Sequence, residues 1–189
     1  MYPLIIILSI LLIIVIVVIA TYNKLVSYKN RMQEAWSGID VLLKKRHDLV
    51  PNLVVTVKAY AAHEKQTFED ITRYRAEAMQ ANETATRIES EAGLGQAIGR
   101  LMIVAESYPE LKANINFLEL QQQLSAIEEE LSLSRRYYNG TVRENNIYVE
   151  RFPSNIVAVM FNFQKGAFFE IDKNVKNVPE ASFLLKIKN

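Results

Sequence analysis

From Leu4 to Ala20 every residue except Ser9 is aliphatic, and no charged side chain appears before Lys24. A bilayer core offers a backbone no water to bond with, so one such segment can satisfy its own amides only as a helix. The uncharged run also meets the ~20 residues that a hydrocarbon core requires. A cleaved signal peptide is the rival reading. It needs a basic leader, an apolar core of roughly 7–15 residues and a small-x-small cleavage site. Only Met1-Tyr2-Pro3 precede this core, and Val18-Ile19-Ala20 is a poor cleavage site. Residues 1–23 are therefore expected to be a retained transmembrane anchor that meets the lipid bilayer through Leu4 to Ala20.

Lys24, Lys29 and Arg31 follow the span and no charged side chain precedes it, so the positive-inside rule places the rest of the chain in the cytoplasm and the N-terminus outside. Tyr2 and Tyr22 bracket the span as interfacial aromatics do. The span holds only Ser9 and Ala20 as small residues and so lacks a close-packing face. Any homo-oligomer is expected to form through the soluble part.

Removing the anchor from 189 residues leaves about 165, enough for one domain with a sizeable core. Lys and Arg number 22 against 21 for Asp and Glu, which gives no long-range pull on nucleic acid, and no nucleic-acid partner is expected. The absence of cysteine excludes disulfides, thiolate metal sites and a cysteine nucleophile. Six Gly and five Pro leave long stretches free of helix breakers.

From Tyr22 to Ala81 the only breakers are Gly38 and Pro51. Apolar residues recur at Met32, Trp36, Ile39, Leu43, Val50, Leu53, Val57 and Tyr60 in steps of three and four, which predicts one long amphipathic helix. Proline has no N–H and clashes with the preceding turn, so a kink or short break is expected near His47 to Pro51, with Asp48 as a cap. The small and polar texture of residues 82–99, with Gly93, Gly95 and Gly99, predicts a turn into a shorter helix over Gln96 to Ser107. Tyr108-Pro109 closes that helix. A second long helix is expected from near Glu110 to Pro153. Its seam runs through Phe117, Leu120, Leu124, Ile127, Leu131, Ser134, Tyr138, Thr141, Asn145, Tyr148 and Phe152, and turns polar in its second half. A short helix from Ser154 and an extended tail complete the chain. In the tail Phe161, Phe163, Phe168, Phe169 and Phe183 lack helical spacing and are interleaved with Gly166 and Pro179. The expected fold is all-α: the transmembrane helix, then over residues 24–163 an antiparallel bundle of about four long helices, then a tail over 164–189.

Several blocks carry a closer likeness. They are Tyr22-Asn23-Lys24-Leu25-Val26, Ala35-Trp36-Ser37-Gly38-Ile39-Asp40-Val41, Asp48-Leu49-Val50-Pro51-Asn52-Leu53-Val54 and Val57-Lys58-Ala59-Tyr60-Ala61-Ala62-His63-Glu64. Later come Tyr108-Pro109-Glu110-Leu111-Lys112-Ala113-Asn114, Asn116-Phe117, Arg135-Arg136-Tyr137-Tyr138-Asn139 and Phe152-Pro153-Ser154-Asn155. In this order they resemble the LemA family of single-span bacterial membrane proteins, over nearly the whole soluble part. Leu42, Lys45 and Asn145 depart from the usual Gln, Arg and Tyr of that pattern. The resemblance implies a bacterial plasma-membrane protein with its N-terminus outside and a helical bundle as its soluble part. It also hints at envelope or membrane organisation rather than at a particular reaction.

No pattern of catalytic residues survives its structural alternative. His63-Glu64 lacks a second histidine four residues on, because position 67 is Thr. Glu128, Glu129 and Glu130 have no Glu-x-x-His to complete a di-iron set. Gly93, Gly95 and Gly99 have no phosphate-binding Lys and Ser/Thr beside them. No catalytic residue, metal, cofactor or enzymatic activity is expected. Lys44-Lys45-Arg46 would stand about 35 Å from the bilayer on a straight helix at 1.5 Å per residue, so it is read as a solvated cluster.

Arg46 is the exception, because it occupies a seam position between Leu43 and Val50. A polar network of Arg46, Ser134, Asn139, Thr141 and Asn145 is expected to fix helix register, with Asn139 or Asn145 accepting from the guanidinium. The functional expectation is a non-enzymatic scaffold or adaptor of the bacterial envelope with a protein partner. The alternative is a membrane-remodelling or lipid-contacting module.

Overall fold

The apolar run and the first amphipathic stretch form one helix, α1 (Tyr2–Lys58), in a computed structural model that describes residues 2–169. At 1.5 Å per residue it is about 85 Å long. The side chains from Leu4 to Val17 stand exposed, the surface that a bilayer would cover.

Of the kink or short break expected at His47 to Pro51, the break does not occur: α1 is one uninterrupted helix there. Pro51 lies inside α1, and the carbonyl its missing N–H would have bonded is that of His47. The Arg75 Nε donates to that oxygen at 2.9 Å, so the freed acceptor is satisfied. The chain turns instead at residues 59–64, where neither Gly nor Pro occurs. Tyr60 and Ala61 both donate their N–H to Val57 O, and Ala61 is fully buried. His63 and Glu64 thus lie on a turn rather than on a helix.

The chain then returns as α2 (Lys65–Gln80) and rises again as α3 (Thr84–Glu106). The three glycines expected to mark a turn all lie inside α3. Glycine costs a helix interior about 1 kcal/mol, and at Gly93 close packing accounts for it. A Cβ there would meet the Tyr74 ring at 2.5 Å, so the α2–α3 crossing has no room for one.

Pro109 opens a single turn, α4 (Pro109–Lys112), rather than the long helix itself. That helix, α5 (Ile115–Glu150), starts where the Asn114 side chain accepts the Phe117 N–H at 3.1 Å. It buries Phe117, Leu124, Leu131, Tyr138, Thr141 and Asn145 of the expected seam. Phe152 lies past its end and is exposed, not part of the seam. The short α6 (Ser154–Met160) follows as expected. Residues 163–169 then run extended alongside α5, while Pro179 and Phe183 fall outside the described residues.

The fold is all-α among the described residues. α1 and α5 pair antiparallel: ten residues up α1, from Trp36 to Arg46, match ten residues back along α5, from Tyr138 to Glu128. α2 and α3 pair antiparallel through Asp70 with Arg100 and Tyr74 with Gly93, and α3 runs parallel to α1 through Asp40 with Arg87. The head core gathers Leu53, Val57, Ile71, Leu94, Leu101 and Leu111. A second cluster surrounds Ile39, Leu43, Leu131 and Tyr138, and a third, around Leu25, lies nearest the apolar end.

Candidate functional site

Helical spacing puts Arg46 on the inward face of α1 and Glu91 on the inward face of α3, between Ile88 and Leu94. Both are fully buried where α1, α3 and α5 meet. Arg46 Nη2 donates to a Glu91 carboxylate oxygen and, at 3.2 Å, to the Glu91 carbonyl. Its Nη1 donates to Glu128 Oε1 on α5 at 2.6 Å. His47 Nε2 stands 2.9 Å from the other Glu91 carboxylate oxygen. One guanidinium thus ties three helices.

Burial disfavours the charged form of Arg46, but the Glu128 and Glu91 carboxylates beside it outweigh that and raise its pKa. Burial likewise pushes Glu91 up, and the contacts from His47 and Arg46 overcome it and hold the carboxyl below its ordinary range. Burial and then the neighbouring Arg46 lower the Arg135 pKa, although Glu128 and Glu91 oppose them. The Arg135 guanidinium lies over the Phe169 ring at 4.5 Å. A cavity of about 420 Å³ adjoins the cluster, bounded by Arg46, Glu91, Gly95, Met102, Arg135 and Phe169.

The polar half of α5 has a different task. Asn139 donates through Nδ2 to Phe169 O at 3.0 Å and accepts the Phe169 N–H at 2.7 Å. Asn146 treats Gly166 in the same way, at 3.0 and 2.8 Å. Asn145 donates to Gln164 O at 3.3 Å, and Tyr138 Oη donates to Ala167 O at 2.9 Å. These side chains give the extended segment 164–169 the backbone partners that a neighbouring strand would supply. The Tyr138 hydroxyl is pushed up in pKa by burial.

The expected network is therefore divided. Arg46 is buried as expected, but it meets Glu91 and Glu128, while Asn139 and Asn145 hold the tail. Thr141 donates to the Tyr138 carbonyl of its own helix at 2.7 Å, and Ser134 is half-buried. The expectation set the Arg46 level too far along α5: the guanidinium is level with Glu128, six residues before Ser134. A desolvated guanidinium is also better matched by carboxylates than by amides. The missed residue, Glu91, left a signal: it occupies an apolar position of α3, as Arg46 does of α1. His47 is buried against Glu91, whereas Lys44 and Lys45 are solvated. Among the described residues no three His, Asp or Glu side chains converge as metal ligands would.

The sequence pattern of the LemA family matches residues 35–183. The chain is 23% identical over 175 residues to magnetosome protein MamQ 2 of Paramagnetospirillum magneticum, a match covering 79% of this chain and 64% of the relative. It is 22% identical over 174 residues to magnetosome protein MamQ of Magnetospirillum gryphiswaldense, covering 78% and 64% respectively. It is 27% identical over 149 residues to protein LemA of Metamycoplasma hominis, covering 78% of this chain and 68% of the relative. The chain thus spans less than two thirds of the length of the magnetosome relatives.

Proposed function

We propose, from the premise that this chain belongs to the LemA family, that it is a membrane-anchored, non-enzymatic scaffold whose helical head recruits a protein partner beside the bilayer. The observation that carries this reading is the continuity of α1, which passes from the exposed apolar segment into the core of the head without a break. A head joined through one unbroken helix is held at a set distance and orientation, as a scaffold needs. The buried charges support the same reading. Both terminal nitrogens of Arg46 are spent on helix-to-helix contacts, which leaves a tie between elements rather than a group offered to a substrate. The names of the relatives, magnetosome protein MamQ and protein LemA, name no reaction.

Orientation belongs to the proposal. The head lies in the cytoplasm of a bacterial cell, on the strength of Lys24, Lys29 and Arg31 after the span. External protease should spare the head in intact cells. Trimming of the head while a cytoplasmic control survives would reverse the orientation.

The scaffold reading is tested in cells by placing a photo-crosslinking residue at exposed apolar positions of the head, Val55, Ile103, Leu118 and Leu133. A discrete protein adduct from one face is expected, either to a partner or to a second copy held through the soluble part. Failure to crosslink at any position, over a set extended to every face, refutes it.

A further inference from the structure

α5 carries the chain back to the apolar end of α1, and α6 makes the turn there. Val157 and Ala158 pack on Leu25, with Val18 and Phe163 in the same cluster. Tyr22 meets the rings of Phe161 and Phe163 edge-on, with centroids at 4.8 and 5.7 Å. Leu25 stands five residues past Ala20, about 7–8 Å along the helix axis. The headgroup region is about 5–7 Å deep on each side of the hydrocarbon core. Contacts with Val18, Tyr22 and Leu25 therefore set α6 at headgroup depth.

Both faces of α6 matter. Ser154, Val157 and Ala158 turn inward and are buried. Ile156, Val159 and Met160 turn outward and are 55%, 82% and 65% exposed. Phe152, just before the helix, is 75% exposed, and Phe161 is exposed just past its end. No residue of α6 is charged, so this row differs from the polar outer face a surface helix shows to water.

We infer that α6 is a second membrane contact, its Ile156, Val159 and Met160 face lying in the interfacial layer of the bilayer that holds Leu4 to Ala20. The inference rests on the membrane-anchored part of the reading above and not on what the head recruits. Lipid is the occupant because the exposed row reaches Phe161, whose ring meets Tyr22 at the end of the exposed apolar helix. Aromatic rings at the boundary suit a headgroup layer. So does the nearby Lys24 ammonium, 5.4 Å from the Tyr148 ring centroid. The consequence is mechanical: both ends of the α1–α5 pair nearest the bilayer are seated on it, which resists tilting of the head.

The chain has no cysteine, so a single introduced one takes a nitroxide label cleanly. The full chain carrying Val159→Cys, or Met160→Cys as a second site, is reconstituted in phosphatidylcholine–phosphatidylglycerol vesicles. Collision of the label with oxygen, which partitions into lipid, is compared with collision with a water-soluble nickel chelate. Val15→Cys in the span and Leu118→Cys on the head bound the scale. The label at 159 should favour oxygen several-fold over nickel and fall nearer to position 15 than to position 118. A profile like that at 118, or a label shielded from both reagents by another stretch of protein, overturns the inference and leaves the anchor intact. An aqueous profile at position 15 overturns the anchor, and the inference with it.

Discussion

Replacing Arg46 by Met removes the guanidinium while keeping an apolar stem in the seam. The change strands Glu91, which is fully buried and would face only His47. Glu128 is less affected, because 37% of its side chain already reaches solvent and its carboxylate can turn outward. Breaking a buried pair from one side costs about 3–5 kcal/mol, since an uncompensated charge is left behind. The remaining His47 contact puts the expected loss near the lower end, about 3 kcal/mol. Removing Glu91 as well, in Arg46→Met with Glu91→Leu, abolishes the stranded charge and should recover most of that loss. Denaturant unfolding of the full chain in detergent micelles can be followed by Trp36, the sole tryptophan, which packs against Tyr138. A loss below about 1 kcal/mol for Arg46→Met, or losses that simply add in the double variant, would refute the reasoning.

Because Glu91 is held below its ordinary value of 4.5, its contribution to stability is present above that pH and is lost as pH falls through the lower folded value. Asp40, pushed up by burial despite Arg87, acts in the opposite sense, so the readout is the comparison of the native chain with Glu91→Gln in acid melts. The variant should show a weaker decline below pH about 4.5. Arg75→Ala frees the His47 carbonyl and should cost about 1 kcal/mol. In a Pro51→Ala background, where a backbone N–H is restored, the same change should cost measurably less by thermal denaturation. Gly38→Ala meets nothing within 4 Å and should raise stability by about 0.5–1 kcal/mol. Gly93→Ala, driven against Tyr74, should lower it, by a melting comparison of the two.

The sequence alone determined the apolar helix, the all-α class and most of the buried seam of α5, because these follow from composition and spacing along a single chain. Hydrophobic periodicity is a local property, and it survives whatever the helix packs against. The same local reasoning allowed a break at Pro51, where α1 is continuous, and mistook Gly93, Gly95 and Gly99 for a turn. Pro51 keeps its helix because Arg75, 28 residues away from His47, supplies the missing donor. Gly93 serves a close crossing that only the fold creates. The turn at residues 59–64 bears no breaker at all and arises where Val57, Ala61 and Phe68 must meet in one core.

Arg46 was legible as a charge in an apolar seam, but its partners were not. Which carboxylate reaches a buried guanidinium depends on the register of three helices, which no residue near Arg46 sets by itself. The asparagines of α5 were likewise legible as polar and misassigned, since an amide serves an arginine or a backbone strand equally well until the tail is seen beside it. Sequence fixes what each side chain can bond. Tertiary structure decides which partner comes within reach, because hydrogen bonds and ion pairs act over a few ångströms between segments that lie far apart along the chain.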